Sequence, residues 1–482
     1  MKLPAAGISQ QEILDRLDLY RKEDVDWRSG RVWGYVYDAG VGAQKACEAA
    51  FSDFLWENAL DPTVFPSMLK LENDLVSMVA QHLNAPEGAV GNFTSGGTES
   101  IFLAVLGARE RFRQKKGRDV TAEIVLPETA HAAHQKAAHY FDMKAVIVPV
   151  DPVTFKADPA AMAAAINENT CLLVGSATSY AHGVVDPIEA LGELALAHDL
   201  RLHVDGCIGG WLLPYFERLG AEVPLHDFQV PGVTSMSCDL HKYGFAPKGA
   251  SIIVHRDKAM RQNHMYACAT WSGYTLVNNA VQSSKSGGPM AAAWAALHFM
   301  GDEGYLELAR RMREATIQII EGVGATDGVR VLGRPEMNLI AIASDDPTVN
   351  IFHVADEMNS RGWYVQPQLS YGTSPANIHL SVNPKSQPHV PSLLADLAVS
   401  VEAARKLPAS NIAPMMKDAF ASIDPATFDD AMFAQMLGMA GMSGVDLPDR
   451  MAEINEVMDV IPPAFREKLL MTFVNELFQF ER

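Results

Sequence analysis

Apolar and polar positions divide the chain into one long alternating section and two flanks. Between residues 121 and 254, short apolar runs at 123–126, 145–148, 170–175, 201–205 and 251–254 are separated by stretches at 130–141, 159–166 and 187–198 whose apolar residues recur at helical spacing. This alternation predicts βαβ units, and so an α/β fold with a mainly parallel sheet covered on both faces. Upstream, 9–24, 69–83 and 101–113 read as helices, and Pro62 and Pro66 force an extended loop before the second of them. Downstream, 329–332, 339–343 and 377–381 read as strands and 349–361 and 390–406 as helices, which predicts a small C-terminal α/β domain. From residue 408 onward, Met-rich helical segments at 428–442, 449–459 and 463–480 read as packing surface, a lid or a subunit contact. The expected division is an arm and helical segment (1–90), a large domain (91–320), a small domain (321–407) and a helical extension (408–482).

Ligands of such sheets sit at the carboxyl ends of the strands, and the polar residues fall there. His131 and His134 follow the first run, 176–182 the third, and Asp205 closes the fourth. Ahead of a helix lies Gly91-Asn-Phe-Thr-Ser-Gly-Gly-Thr-Glu-Ser100, a loop of small residues whose backbone amides can cradle a phosphate. It has neither a Walker lysine nor a G-x-G-x-x-G pattern, so nucleotide hydrolysis and dinucleotide binding are not indicated. In Ser237-Met-Ser-Cys-Asp-Leu-His-Lys-Tyr-Gly-Phe-Ala-Pro-Lys-Gly249, Lys242 lies among small and apolar residues. Burial there is expected to lower its pKa and give a neutral amine able to form a Schiff base, with His241 as an anion donor and Lys248 as a second cation.

Asp205 is either a helix cap or a carboxylate held for a charged partner. One ligand accounts for cradle, lysine and aspartate together. Pyridoxal phosphate has a phosphate, an aldehyde and a pyridine nitrogen, and a carboxylate facing that nitrogen keeps it protonated so that the ring accepts electrons. His131 is then placed to stack on the ring, or else is a capping histidine.

Composition narrows the class. The chain has 482 residues, 48% of them apolar and 8% aromatic, enough for a soluble protein with a large core. A net charge of -19, from 39 basic and 58 acidic residues, argues against nucleic acid and anionic membrane surfaces as partners. The five cysteines include no C-x-x-C pair, which argues against a disulfide framework or zinc site and for a reducing compartment. The first residues lack an apolar signal region, and no apolar run approaches the ~20 residues of a transmembrane helix, so a cytoplasmic location is expected.

The motifs also resemble a family. The Thr-Ser-Gly-Gly-Thr-Glu-Ser loop, 130–138, Gly175-Ser-Ala with Val185-Asp-Pro-Ile188, His203-Val-Asp-Gly-Cys and His241-Lys-Tyr-Gly-Phe-Ala-Pro-Lys-Gly249 are similar, in this order, to the sphingosine phosphate lyases. These form a branch of the group II pyridoxal-phosphate decarboxylase superfamily with the aspartate-aminotransferase fold (fold type I). The likeness covers about 30–407. It implies Lys242 as the Schiff-base lysine, Asp205 on the pyridine nitrogen and His131 stacked on the ring. It further implies Gly96, Gly97, Thr98 and His241 on the phosphate, Tyr37 and Lys248 near the substrate, and Ser284 on the cofactor phosphate of a partner subunit in a homodimer with shared sites. The arm at 30–37 reads as one that wraps that partner. Three positions depart from the family. Asp61 stands where the lyases carry histidine, Lys285 where they carry arginine, and Gly206 where alanine is usual; the first two are expected near an anionic head group and to weaken phosphate recognition, the third to leave room under the ring. The expected activity is retro-aldol cleavage of a phosphorylated or unphosphorylated long-chain amino alcohol. The alternatives are decarboxylation of an L-amino acid, or a non-catalytic relative that binds a partner.

Overall fold

The computed structural model describes residues 3–408, 410–421, 432 and 448–479. Seven strands, β1 (Val90–Thr94), β2 (Glu123–Pro127), β3 (Lys144–Val148), β4 (Thr170–Ser176), β5 (Arg201–Asp205), β6 (Ser235–Cys238) and β7 (Ser251–His255), form one sheet in the order β1-β7-β6-β5-β4-β2-β3. Only β7 runs against the rest, so β1, β2, β4, β5 and β6 all end at the same edge of the sheet. The central strands are buried along their whole length because helices cover both faces, which is why their sequences read as continuous apolar runs. The edge strand β3 is partly exposed, as is Val90 at the start of the other edge strand, β1.

The five expected runs of the large sheet are all strands. Two strands had no such signal. β1 occupies the first half of the expected loop, and the helix after it, Gly97–Lys116, begins at Gly97 rather than at residue 101. β6, Ser-Met-Ser-Cys, is short and half polar, and its flanking partners β5 and β7 make it a strand.

A second, antiparallel sheet has the order β10-β11-β13-β12, where β10 is Val329–Val331, β11 Leu339–Ser344, β12 Gln366–Gln368 and β13 Asn377–Ser381; the hairpin between the two sheets supplies β8 (Tyr266–Cys268) and β9 (Leu276–Asn278). Helices Ile351–Ser360 and Val390–Ala404 and the far half of the long helix Gly287–Gly324, which bends at Gly301, complete its core. The arm at 30–37, expected to wrap a partner, is anchored in its own chain at Trp33. Trp33 is fully buried in this core, its N–H donates to the Tyr364 carbonyl (2.9 Å), and its own carbonyl accepts from Ser381 N–H (2.6 Å). The arm therefore binds its own chain, and in doing so carries Tyr35 and Tyr37 to the edge where the strands end.

In the extension, helices Ile412–Ala421, Ala452–Val460 and Pro463–Leu477 share an apolar cluster that includes Met416, Phe420, Ile461 and Phe465. The expected segment at 428–442 lies outside the described residues except for residue 432. The Asp356 carboxylate accepts the Met451 and Ala452 N–H groups, and Asp459 accepts from Ser370, which docks the extension on the smaller sheet's loops. Among the described residues no helix is long and apolar enough to cross a membrane.

Candidate active site

A cavity of about 650 Å³ opens where β1, β2, β4, β5 and β6 end. On one side is the start of helix Gly97–Lys116, whose N-terminus has no side-chain cap. The first amides of a helix lack intrahelical partners and carry the positive end of its dipole, so this wall can hold an anion. Glycine is needed at 97, because a Cβ there would lie 2.6 Å from Asp239 Oδ2 and 2.7 Å from Cys207 Sγ. Glu99 braces the cradle. Its Oε2 accepts Ser95 N–H and Oγ–H (2.7 Å each), and its Oε1 accepts the N–H groups of Val281 (2.8 Å) and Gln282 (2.9 Å).

At the end of β5 the buried Asp205 carboxylate accepts the Cys207 N–H (3.0 Å) and Ser237 Oγ–H (3.4 Å) on Oδ1, while Oδ2 lies 4.0 Å from His134 Nδ1. Asp205 caps no helix, because the next one starts only at Leu213; one oxygen caps the turn at Cys207 instead, and the residue also faces the cavity. Burial alone would raise its pKa. His134, His131 and His203, with Lys242, outweigh that and hold the carboxyl well below the usual range, so it stays ionised. His203 is pushed down to about 3 by burial, and its ring nitrogens face Ser235 Oγ (2.9 Å) and Ser237 Oγ (3.3 Å). Gly206 follows, and here the expectation of spare room fails: a Cβ would lie 2.6 Å from Met236 Cε and 2.8 Å from the Ser237 carbonyl oxygen.

Lys242 lies in the same cavity, but its protonation is the reverse of the one expected. Burial does act to lower its pKa; Asp239, whose Oδ2 lies 2.8 Å from Nζ, outweighs burial with help from Cys207 and Tyr37, and the net effect is to raise it. The lysine is an ammonium in an ion pair. His241 beside it is pushed down to about 4, chiefly by burial, and its Nδ1 accepts the Ala250 N–H (3.2 Å). That fixes the ring proton on Nε2, so His241 is a neutral donor.

On the outer side, Lys248 Nζ sits 4.6 Å from the centre of the Tyr37 ring, and the Tyr37 ring meets Tyr243 edge-on at 5.0 Å. Burial pushes Tyr37 up to about 12, while burial and the charge of Lys242 push Lys248 down to about 8, where an amine gains and loses protons near neutral pH. His131 is on the wall with its Nδ1 accepting the Ala133 N–H (3.2 Å).

Of the residues expected from the sequence, Tyr37, Gly96, Gly97, Thr98, His131, Asp205, His241, Lys242 and Lys248 share this one cavity. Ser284 does not line it and is exposed. Lys285 is a correction, because its ammonium is buried and donates to Glu72 Oε1 (2.6 Å), Glu72 Oε2 (2.5 Å) and Asn279 Oδ1 (3.2 Å), leaving nothing for a head group. Asp61 lies on the surface with Oδ1 accepting Thr63 N–H and Oγ1–H, and the loop just before it is tied to Lys285, since Ala59 N–H donates to the Lys285 carbonyl (2.9 Å). His134 and Tyr180 belong to the polar positions expected at the strand ends, whereas sequence reading does not single out Asp239, or Gln366, whose Oε1 accepts the Tyr180 hydroxyl (2.6 Å). For Asp239 a signal existed: a carboxylate three residues before the lysine, in a turn, can reach it.

The model of the "Pyridoxal-dependent decarboxylase conserved domain" matches residues 43–343, and that of a "Pyridoxal-dependent enzyme, C-terminal putative HTH domain" matches 414–476. The chain is 38% identical over 422 residues to a sphingosine-1-phosphate lyase of Dictyostelium discoideum, covering 87% of this chain and 77% of that protein. It is 39% identical over 414 residues to the Arabidopsis thaliana sphingosine-1-phosphate lyase, covering 84% and 74%. The solved sphingosine-1-phosphate lyase of Burkholderia pseudomallei K96243 superposes with a TM-score of 0.80 at 35% identity, over 93% of this chain and 98% of that one.

Proposed function

The chain belongs to the pyridoxal-dependent decarboxylase family, and on that premise we propose that it is a carbon–carbon lyase cleaving a phosphorylated long-chain amino alcohol to an aldehyde and phosphoethanolamine. Its cofactor is pyridoxal 5'-phosphate. The residues fit that group on their own chemistry: the uncapped helix start with its Cβ-free Gly97 takes a phosphate, the ionised Asp205 takes a protonated ring nitrogen, and Lys242 takes an aldehyde. When bound, the cofactor supplies an electron sink for the pair left as a bond to the substrate Cα breaks. Gly96, Gly97, Thr98 and neutral His241 hold the phosphate by N–H donation. His131, on the cavity wall, would face the cofactor ring. Tyr37 and Lys248, on the outer side of the cavity, would meet the substrate, and Lys248, at about 8, could take the proton of a β-hydroxyl.

The observation that carries the lyase reading is the likeness to sphingosine-1-phosphate lyases over 87% of the chain. The same electron sink would serve decarboxylation, and the products separate the two. Pure protein incubated with sphingoid-base phosphates and, separately, with a panel of L-amino acids is expected to release aldehyde from the former and no carbon dioxide from the latter. Carbon dioxide from an amino acid, with no aldehyde from any sphingoid base, would replace this reading with a decarboxylase.

A homodimer in a reducing, cytoplasmic setting completes the proposal. Support comes from five unpaired cysteines and from exposed Trp271, Tyr274, Val277 and Val281 on the segment that leads to the exposed Ser284. Glu99 ties that segment to the cradle by accepting the Val281 and Gln282 N–H groups, which leaves the exposed Ser284 open to a neighbouring subunit. Mixing folded, inactive Lys242→Ala and Ser284→Asp chains is expected to restore part of the activity. Stable mixed dimers with none would place Ser284 outside the partner's site.

A further inference from the structure

We propose that Asp239 is a catalytic acid–base residue serving Lys242: it takes the proton Lys242 must shed before its Nζ can attack an aldehyde carbonyl, and returns it to the departing oxygen. Three observations carry this. The Asp239 side chain is 1% exposed, and its Oδ2 is 2.8 Å from Lys242 Nζ, within direct proton-transfer distance. Its other oxygen, Oδ1, is buried with no hydrogen-bond partner, although the residue borders the cavity. Finally, the carboxylate lies against the cradle, since a Cβ on Gly97 would be 2.6 Å from Oδ2 and 2.8 Å from Oδ1. A carboxylate there, next to an incoming phosphate, is tolerable while Lys242 is charged. Once Lys242 gives up its proton, the cheapest place for that proton is Asp239.

The step balances. The Lys242 ammonium passes one proton to Asp239, and the freed lone pair on Nζ bonds the carbonyl carbon while the carbonyl oxygen takes a second proton from Nζ. Asp239 then protonates that hydroxyl, which leaves as water as the nitrogen lone pair closes the carbon–nitrogen double bond. Nζ, which began with three protons, keeps one and the positive charge; Asp239 is again a carboxylate. The reverse sequence releases Lys242. The other ionisable groups facing the pair are His241 (Nε2 3.6 Å from Oδ2), Cys207, Tyr37, Lys248 and, across the cavity, Asp205. Of these His241 is neutral, with its ring proton a donor, and Asp239 alone touches Nζ within 3 Å among the described residues.

This rests on Lys242 as the cofactor's anchor, so the test reads the two separately. Full-length protein stripped of cofactor is mixed with pyridoxal 5'-phosphate, capture is followed by absorbance, and borohydride-trapped label is mapped by peptide. Label on Lys242 is expected in every variant that reacts; label elsewhere overturns both assignments. Asp239→Asn, which keeps size and one acceptor but cannot carry the proton, is expected to slow capture by about a hundredfold. Asp239→Ala is expected to be as slow and to recover as formate is added, and Asp239→Glu to retain more of the rate than either. The proposal fails if Asp239→Asn captures as fast as the unmodified chain or faster, the result expected if Asp239 only kept Lys242 charged. It also fails if formate does nothing for a folded Asp239→Ala chain, which would make the role one of packing.

Discussion

Replacing Asp205 by asparagine is expected to leave the fold intact and to slow turnover by over a hundredfold. Asparagine has the same shape, and its side-chain oxygen can still accept the Cys207 N–H that Asp205 Oδ1 now takes at 3.0 Å, so the turn after β5 keeps its cap. What disappears is the charge. Asp205 is held ionised against its burial by His134, His131, His203 and Lys242, and it borders the cavity, where a cation can meet it. With a neutral amide there, a protonated pyridine nitrogen loses its counter-ion, and a loss of ~3 kcal/mol in the transition state is over a hundredfold in rate. The check is kcat together with the thermal midpoint of the cofactor-loaded protein. A variant with near-normal kcat would mean that capping Cys207 is all Asp205 does.

That double role shows how much of the site can be read in a sequence. The central strands announce themselves because burial on both faces demands continuous apolar runs, and a ligand of such a sheet must then sit at the strand ends, which brings Asp205, His131 and Lys242 together. β6 and β12 carry no such signal. Ser-Met-Ser-Cys and Gln-Pro-Gln become strands only through neighbours far away in the chain. The protonation of Lys242 is hidden from the sequence for a related reason. Small apolar neighbours suggest desolvation, but the sign of the shift is set by one carboxylate at 2.8 Å, and composition near a residue says nothing about which side chain points at it. The arm at 30–37 shows the same limit, since nothing in its sequence says that Trp33 packs beside Trp363 in the core of its own chain.

Lys285 turns this lesson into a second large effect. By its place in the sequence it stands in for an arginine expected to meet an anionic head group, and on that view Lys285→Met should weaken phosphorylated substrates and leave stability alone. The structure reverses both halves. Its side chain is 4% exposed and that of Glu72 is 9% exposed, and the ammonium lies 2.6 and 2.5 Å from the two Glu72 oxygens. Glu72 Oε1 also accepts the Phe93 N–H (3.0 Å), so the pair joins helix Pro66–His82 to β1, the strand that leads into the phosphate cradle. Removing the lysine leaves a buried carboxylate with a single amide for company, which costs about 3–5 kcal/mol. Lys285→Met is therefore expected to lower the urea midpoint sharply. Glu72→Gln combined with Lys285→Met should recover much of the loss, because no charge is then buried. Saturation by sphingoid-base phosphates, measured on the folded fraction, should change little. A Lys285→Met chain of unaltered stability whose KM for the phosphorylated substrate rises steeply would return Lys285 to the head group and show that its pairing with Glu72 gives way when substrate binds.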